Sequence, residues 1–340
     1  MNYLSLALLY LKKAEVSKKL RNSILILAIL TIGYFFADTI LFDGIKPVLI
    51  KDAGFSASFF AKKTTKDKAT IVLVGGGDWG AYWGQELAKA NYVSLSLPYH
   101  REEGLPALPE EIPLEYFEKA FRWLKNQPQV NPNKIIVMGA SRNAELALIL
   151  ASYYPELVEG VIAYSPSSVS WSNTVLPFNS DLMKPSWTFE NKPIPYIPMD
   201  KLQGGNQEMI ETLNYWKQGL TDTVAVKKAS IQVEKINGSI LLFSGLDDNV
   251  WPSAMMSDQI EARLKNSSFK YEIQNIQYKN AGHLISGNPN YTPSNRQGEM
   301  WIDGTSYRFN YGGTTTGDQA AQKDASKRVL QFLSMLKETP

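Results

Sequence analysis

Ser141 lies in Gly139-Ala140-Ser141-Arg142-Asn143, between the apolar run KIIVM and the Ala/Leu-rich run ELALILASYY. This is nearly the G-x-S-x-G elbow, a sharp strand-to-helix turn that lifts a serine hydroxyl above a sheet and directs a helix N-terminus at a bound carbonyl. A nucleophilic serine needs a base, and the base needs an orienting carboxylate. Asp247 and Asp248 follow the run ILLFSGL, and His283 follows QYKNAG, so the chain order is Ser, Asp, His. Either aspartate suits the acid on this reading. The chemistry expected is acyl transfer through Ser141, with His283 as base.

A developing oxyanion needs backbone donors. The N–H of Arg142, the residue after the nucleophile, is one. The other is expected in the loop VLVGGGDWG, where Gly75, Gly76 and Gly77 allow close backbone approach, from the amide of Gly77 or Asp78. That loop has neither the G-x-x-x-x-G-K-[ST] pattern nor a clean G-x-G-x-x-G fingerprint, so no nucleotide cofactor is expected. Two histidines and no cysteine suggest no metal site, no thiol nucleophile and no disulfide framework. The second histidine, His100, in LPYHREEG, is expected to be a polar loop residue or to line a pocket. Asn143 occupies the place of the elbow's second glycine. Asn tolerates unusual backbone angles well, so an elbow with some strain or a shifted helix is expected.

Elements must place these groups together. Strands are expected over 70–74, 92–97, 134–138, 161–164, 239–243 and 271–277, and helices over 83–90, 114–126, 142–153, 253–265 and 318–337. Strands separated by such helices imply βαβ crossovers and a mostly parallel sheet covered on both faces, a three-layer α/β sandwich. Residues 165–235 break the rhythm with a Pro- and aromatic-rich stretch including Phe178, Trp187, Phe189 and Tyr196. A long insertion of this kind is expected to be a lid that shapes an apolar pocket. Residues 44–68 are expected to be a polar connector, with the catalytic domain over 69–340.

Residues 24–42 contain a single charge, Asp38. Nineteen such residues at about 1.5 Å each match the roughly 30 Å hydrocarbon core of a bilayer. Lys12, Lys13, Lys18, Lys19 and Arg21 precede the run, whereas only Lys46 and Lys51 appear in the fifteen positions after it. This bias predicts that residues 1–43 are a cytoplasmic N-terminus and an uncleaved membrane anchor, with the catalytic domain outside the cytoplasm and membrane lipid as the partner of 24–42. Residues 3–11 are too short to cross and suit an interfacial stretch. A net charge of +2 gives no field of the kind nucleic-acid binding uses, so no nucleic-acid partner is expected.

The stretches GLPALPEEIPLEYFEKAFRWL (104–124), GASRNAELALILAS (139–152), SGLDDNVWPS (244–253) and NAGHLI (280–285) resemble the C-terminal catalytic domain shared by acyl-CoA thioesterases and bile acid-CoA:amino acid N-acyltransferases. The resemblance covers roughly 70–336. It implies an α/β-hydrolase fold, a serine nucleophile at Ser141 as in the hydrolases of the family, and Asp248 rather than Asp247 as the acid. It further implies an acyl ester or thioester as small-molecule substrate. The family's N-terminal β-sandwich is absent here, and the membrane segment stands in its place. Because acyl-CoA is a cytoplasmic metabolite, an outward-facing enzyme would act on other esters or thioesters.

Overall fold

The structure, a computed structural model, describes residues 3–42, 45–206 and 208–336, with side chains described from residue 17 in the first helix and not over 38–42. Residues 43, 44 and 337, at the edges of the expected connector and last helix, lie outside the described residues, as does Met1. The chain forms two compact units, residues 1–46 and 47–340. The first is one helix, α1 (Tyr3–Phe42). Within it Ser17–Ala37 is long and apolar enough to cross a membrane, a test that a signal sequence also meets.

Among the described residues of the second unit the central sheet has eight strands: β1 (Val48–Ile50), β2 (Ala57–Phe60), β3 (Lys68–Val74), β4 (Val93–Leu97), β5 (Val130–Ala140), β6 (Gly160–Tyr164), β7 (Ser239–Gly245) and β8 (Ile273–Tyr278). They lie in the order β1-β2-β4-β3-β5-β6-β7-β8, with β2 antiparallel to its neighbours and the other pairings parallel. Parallel strands are buried on both faces and so read as continuous apolar runs. Successive residues of β3 accordingly serve opposite cores. Val72 and Val74 join one with Leu95 and Val137, while Ile71 and Leu73 join the other with Met138 and Phe243. The helices that cover these faces are α2 (Gly77–Lys89), α3 (Glu115–Lys125), α4 (Arg142–Tyr153), α5 (Ser253–Asn266) and α6 (Thr315–Met335).

Two expectations are corrected, and one element is added. Residues 44–68 are not merely a connector: β1 and β2 extend the sheet, because Phe55, Ala57, Phe59 and Phe60 bury an apolar face among the lysines. Helix α2 starts at Gly77, ahead of the expected residue 83, in a stretch whose three glycines depress helix propensity. The tail before the last helix holds a hairpin, β9 (Gln297–Ile302) with β10 (Thr305–Asn310), turned at Asp303-Gly304, both at positive φ. An Asp-Gly pair between alternating residues is the corresponding sequence signal.

The 165–235 insertion contains short strands and two helices, Thr212–Gly219 and Thr223–Ala229. Its Trp171 and Trp216 form a third buried cluster with Trp251, Met256 and hairpin residues Met300 and Ile302. Trp187 instead joins the core that holds Val72 and Val137, against which Phe189 packs. A cavity of about 300 Å³ lies between the insertion and the last turns of α4, lined by Ile149, Tyr153, Phe189, Ile194 and Pro195 among others.

Candidate active site

Ser141 follows β5 and precedes α4 with φ 57 and ψ −125, a left-handed backbone that a non-glycine residue adopts only when its surroundings impose it. The turn is tight. A Cβ on Gly139 would stand 2.1 Å from the Asn143 carbonyl oxygen, so glycine is required there. Asn143 itself is helical, and the strain falls on Ser141. The Asn143 side chain instead accepts a 2.8 Å hydrogen bond from the Tyr99 hydroxyl and packs against Gly75.

The structure brings Ser141, Asp248 and His283 together. His283 Nε2 lies 3.0 Å from Ser141 Oγ, and His283 Nδ1 lies 2.9 Å from Asp248 Oδ2. Asp248 is buried whereas Asp247 is exposed. The Asp248 carboxylate is fully engaged. Oδ1 accepts from the backbone of Val250 and Trp251 at 2.9 and 3.3 Å, and Oδ2 accepts from Ser253 Oγ at 2.7 Å. Such bonds fix the carboxylate on Nδ1, which leaves Nε2 as the acceptor that faces Ser141.

Arg142 and Gly77 are the first residues of α4 and α2, so their N–H groups, and that of Asp78, have no intrahelical acceptor by position. The packing of Gly75 against Asn143 sets these two helix N-termini side by side. The Arg142 side chain has a separate job. Its buried guanidinium pairs with Glu145 and donates to Ser186 Oγ at 2.7 Å. Glu145, whose carboxyl is pushed up by burial against the pull of Arg142, accepts from Trp171 N–H and Trp187 Nε1 at 3.2 and 3.0 Å. The insertion is thereby bonded to the elbow.

His100 lies away from this line, packed on Tyr99 and Phe178. Burial, with Arg101 alongside, pushes it down to about 4, so it is neutral near pH 7. Among the described residues, no three or more His, Cys, Asp or Glu side chains are grouped so that they could hold a metal ion.

The sequence reading missed the groups behind the acid and the base. Tyr311 O accepts the His283 N–H at 2.9 Å, and Gly312 bridges to Asp248. Asp318 Oδ1, at the start of α6, accepts the Gly282 N–H at 2.7 Å, and Asp318 pairs with Arg296. Arg296 also donates to Gly312 O at 2.6 Å. Asp318 is buried, which raises its carboxyl above the ordinary range, opposed by the Gly282 N–H and Arg296. No spacing in the sequence marks this clamp, because its three segments meet only through the fold.

Residues 112–337 match the family described as BAAT / Acyl-CoA thioester hydrolase C terminal. The chain belongs to this family. It is 28% identical to the mouse mitochondrial acyl-coenzyme A thioesterase 2 over 294 residues, covering 86% of this chain and 60% of that protein. Mouse bile acid-CoA:amino acid N-acyltransferase is 24% identical over 298 residues, 85% of this chain and 65% of that protein. The chain thus spans less than two thirds of these relatives. Among solved structures, a dienelactone hydrolase-like promiscuous phosphotriesterase from metagenomic libraries superposes with a TM-score of 0.51 at 12% identity, covering 86% of this chain and 98% of that one. A Mycobacterium tuberculosis puromycin-hydrolysing peptidase gives 0.52 at 12% identity, covering 86% and 39%. These likenesses establish an α/β-hydrolase type of fold with a mostly parallel sheet.

Proposed function

We propose that this chain is a membrane-anchored serine hydrolase that cleaves acyl esters or thioesters, with Ser141 as nucleophile, His283 as general base and Asp248 as its orienting acid. The observation that carries the reading is the hydrogen-bonded line from Asp248 through His283 to Ser141, at 2.9 and 3.0 Å. His283 Nε2 takes the Ser141 proton as Oγ attacks the acyl carbonyl, and Asp248 stabilises the imidazolium that forms. The N–H groups of Arg142 and of Gly77 or Asp78 receive the oxyanion, each worth about 3 kcal/mol. Collapse breaks the bond from the carbonyl carbon to the leaving oxygen or sulfur, which takes the proton from His283. Water, deprotonated by the same His283, then cleaves the acyl-Ser141 ester.

Thioesterase names among the relatives support the substrate class. The insertion, bonded to the elbow through Arg142 and Glu145, serves as a cover over this site. Residues 1–43 supply a cytoplasmic N-terminus and, over 24–42, the membrane anchor, an arrangement that puts the hydrolase domain outside and favours esters or thioesters other than acyl-CoA. The relationship to an N-acyltransferase favours one alternative, transfer of the acyl group to an amine, and competition between an amine and water for the acyl-enzyme decides between them.

Labelling the full chain in detergent with a fluorophosphonate tests the reading, since only an activated serine reacts. Wild type should label, and both Ser141→Ala and His283→Ala should lose labelling. Labelling that persists in Ser141→Ala would overturn the assignment.

A further inference from the structure

Strand order determines what flanks Ser141. At the carboxyl edge of the sheet, Ser141 follows β5, Gly75–Gly77 follow β3, and Pro98 and Tyr99 follow β4, in that lateral order. His283 comes from the opposite side, after β8. Ligands of open α/β sheets bind along this carboxyl edge.

On the β3–β4 side lies a cavity of about 590 Å³ whose apolar lining is Phe55, Leu105, Pro106, Ile112, Pro113 and Tyr116. Lys51 and Ser56 line both it and a neighbouring cavity of about 280 Å³ that reaches Gly77 and Pro98. The two form one trough that starts at the proposed oxyanion donor. Its charged members are Lys51 and Glu103, which stand 3.5 Å apart at the solvent-exposed rim, and Glu102, which lines the smaller cavity. Tyr99 joins the trough to the elbow, lining the larger cavity while its hydroxyl bonds Asn143, two residues beyond Ser141. From β5 to β4 is two strand spacings, roughly 10 Å.

We propose that this trough binds the acyl chain of the substrate, with the carbonyl at Ser141 and the chain running past Gly77 and Tyr99 toward Leu105. The proposal rests on the serine-hydrolase reading and extends it. The leaving atom takes its proton from His283 and therefore faces the β6–β8 side. The other substituent of the carbonyl carbon is left the β3–β4 side, where the trough begins. The cavity between the insertion and α4 is less well placed, because Ile149 and Tyr153 lie eight or more residues along α4 from Ser141, about 12 Å from the carboxyl edge. Each methylene buried in the trough should raise kcat/KM about fourfold until the trough is full.

The test uses the full chain in detergent and a series of p-nitrophenyl esters from butanoyl to hexadecanoyl. Leu105→Trp and Pro106→Trp, which fill the trough from a loop, should each lower the dodecanoyl-to-butanoyl ratio of kcat/KM at least about tenfold. Pro195→Trp, at the insertion cavity, should leave that ratio within about twofold of wild type. A ratio unmoved by both trough variants, or lowered by Pro195→Trp, overturns the proposal. A second measurement needs no turnover: a diazirine-bearing dodecanoic acid is photo-crosslinked to the Ser141→Ala chain and the adducts are mapped by mass spectrometry. Adducts within 51–56 and 99–116 support the trough even if wild type cleaves no ester, an outcome that would count against the hydrolase reading alone. Adducts absent from both segments overturn the trough.

Discussion

Asp318 and Arg296 stand immediately behind the His283–Asp248 pair, and their charges are opposite. Asp318 holds the Gly282 N–H, Arg296 holds Gly312 O, and Gly312 bridges to Asp248. The backbones there touch closely enough that a Cβ on Gly312 would sit 1.8 Å from Asp247 O. Loosening this clamp should misplace the base by a fraction of an ångström, and displacements near 1 Å cost up to about 100-fold in rate. Both Arg296→Ala and Asp318→Asn should therefore lower kcat with little change in KM, with partial rescue by Arg296→Lys. A kcat unchanged in both variants would reduce the clamp to a structural support.

At the scale of elements, the insertion and the elbow are one cooperative piece, because Glu145 on α4 accepts from both Trp171 and Trp187 while Arg142 reaches Ser186. Both partners of this ion pair are almost fully buried, with side-chain exposures of 5% and 0%. Truncating one partner strands the other charge out of water, which typically costs about 3 to 5 kcal/mol. Glu145→Ala should lower the stability of the hydrolase unit by that amount in urea denaturation. Replacing both residues together, Arg142→Met with Glu145→Leu, should cost less. The sequence made the parallel strands and their helices readable, since long apolar runs and helical periodicity are local signals. It also revealed the order Ser141, Asp248, His283. The strands β1 and β2 were hidden by surrounding lysines, the hairpin by its placement in a polar tail, and the Glu145 and Asp318 contacts by the fact that a charged residue on a helix usually faces solvent. What could not be read was burial of charge, a property of the assembled molecule.

For the whole molecule the proposed anchor makes a prediction about the side of a membrane on which the second unit lies, and the absence of cysteine makes that prediction directly measurable. Single cysteines can be placed at exposed sites without competing thiols. Basic residues flank the apolar segment unequally, five before it and two after, and the side richer in Lys and Arg stays cytoplasmic. In intact cells, Lys192→Cys, exposed in a short strand of the insertion, should react with a membrane-impermeant maleimide. Lys13→Cys should react only after lysis. The reverse pattern would put Ser141 in the compartment of acyl-CoA and make that thioester the first substrate to assay. If neither cysteine is protected and the chain leaves the membrane fraction, the segment is a cleaved leader or a soluble helix rather than an anchor. Exchanging Lys12, Lys13, Lys18 and Lys19 for glutamine should then be tested only where the anchor holds, and it should weaken or invert the labelling contrast, because orientation follows the balance of Lys and Arg across the two ends.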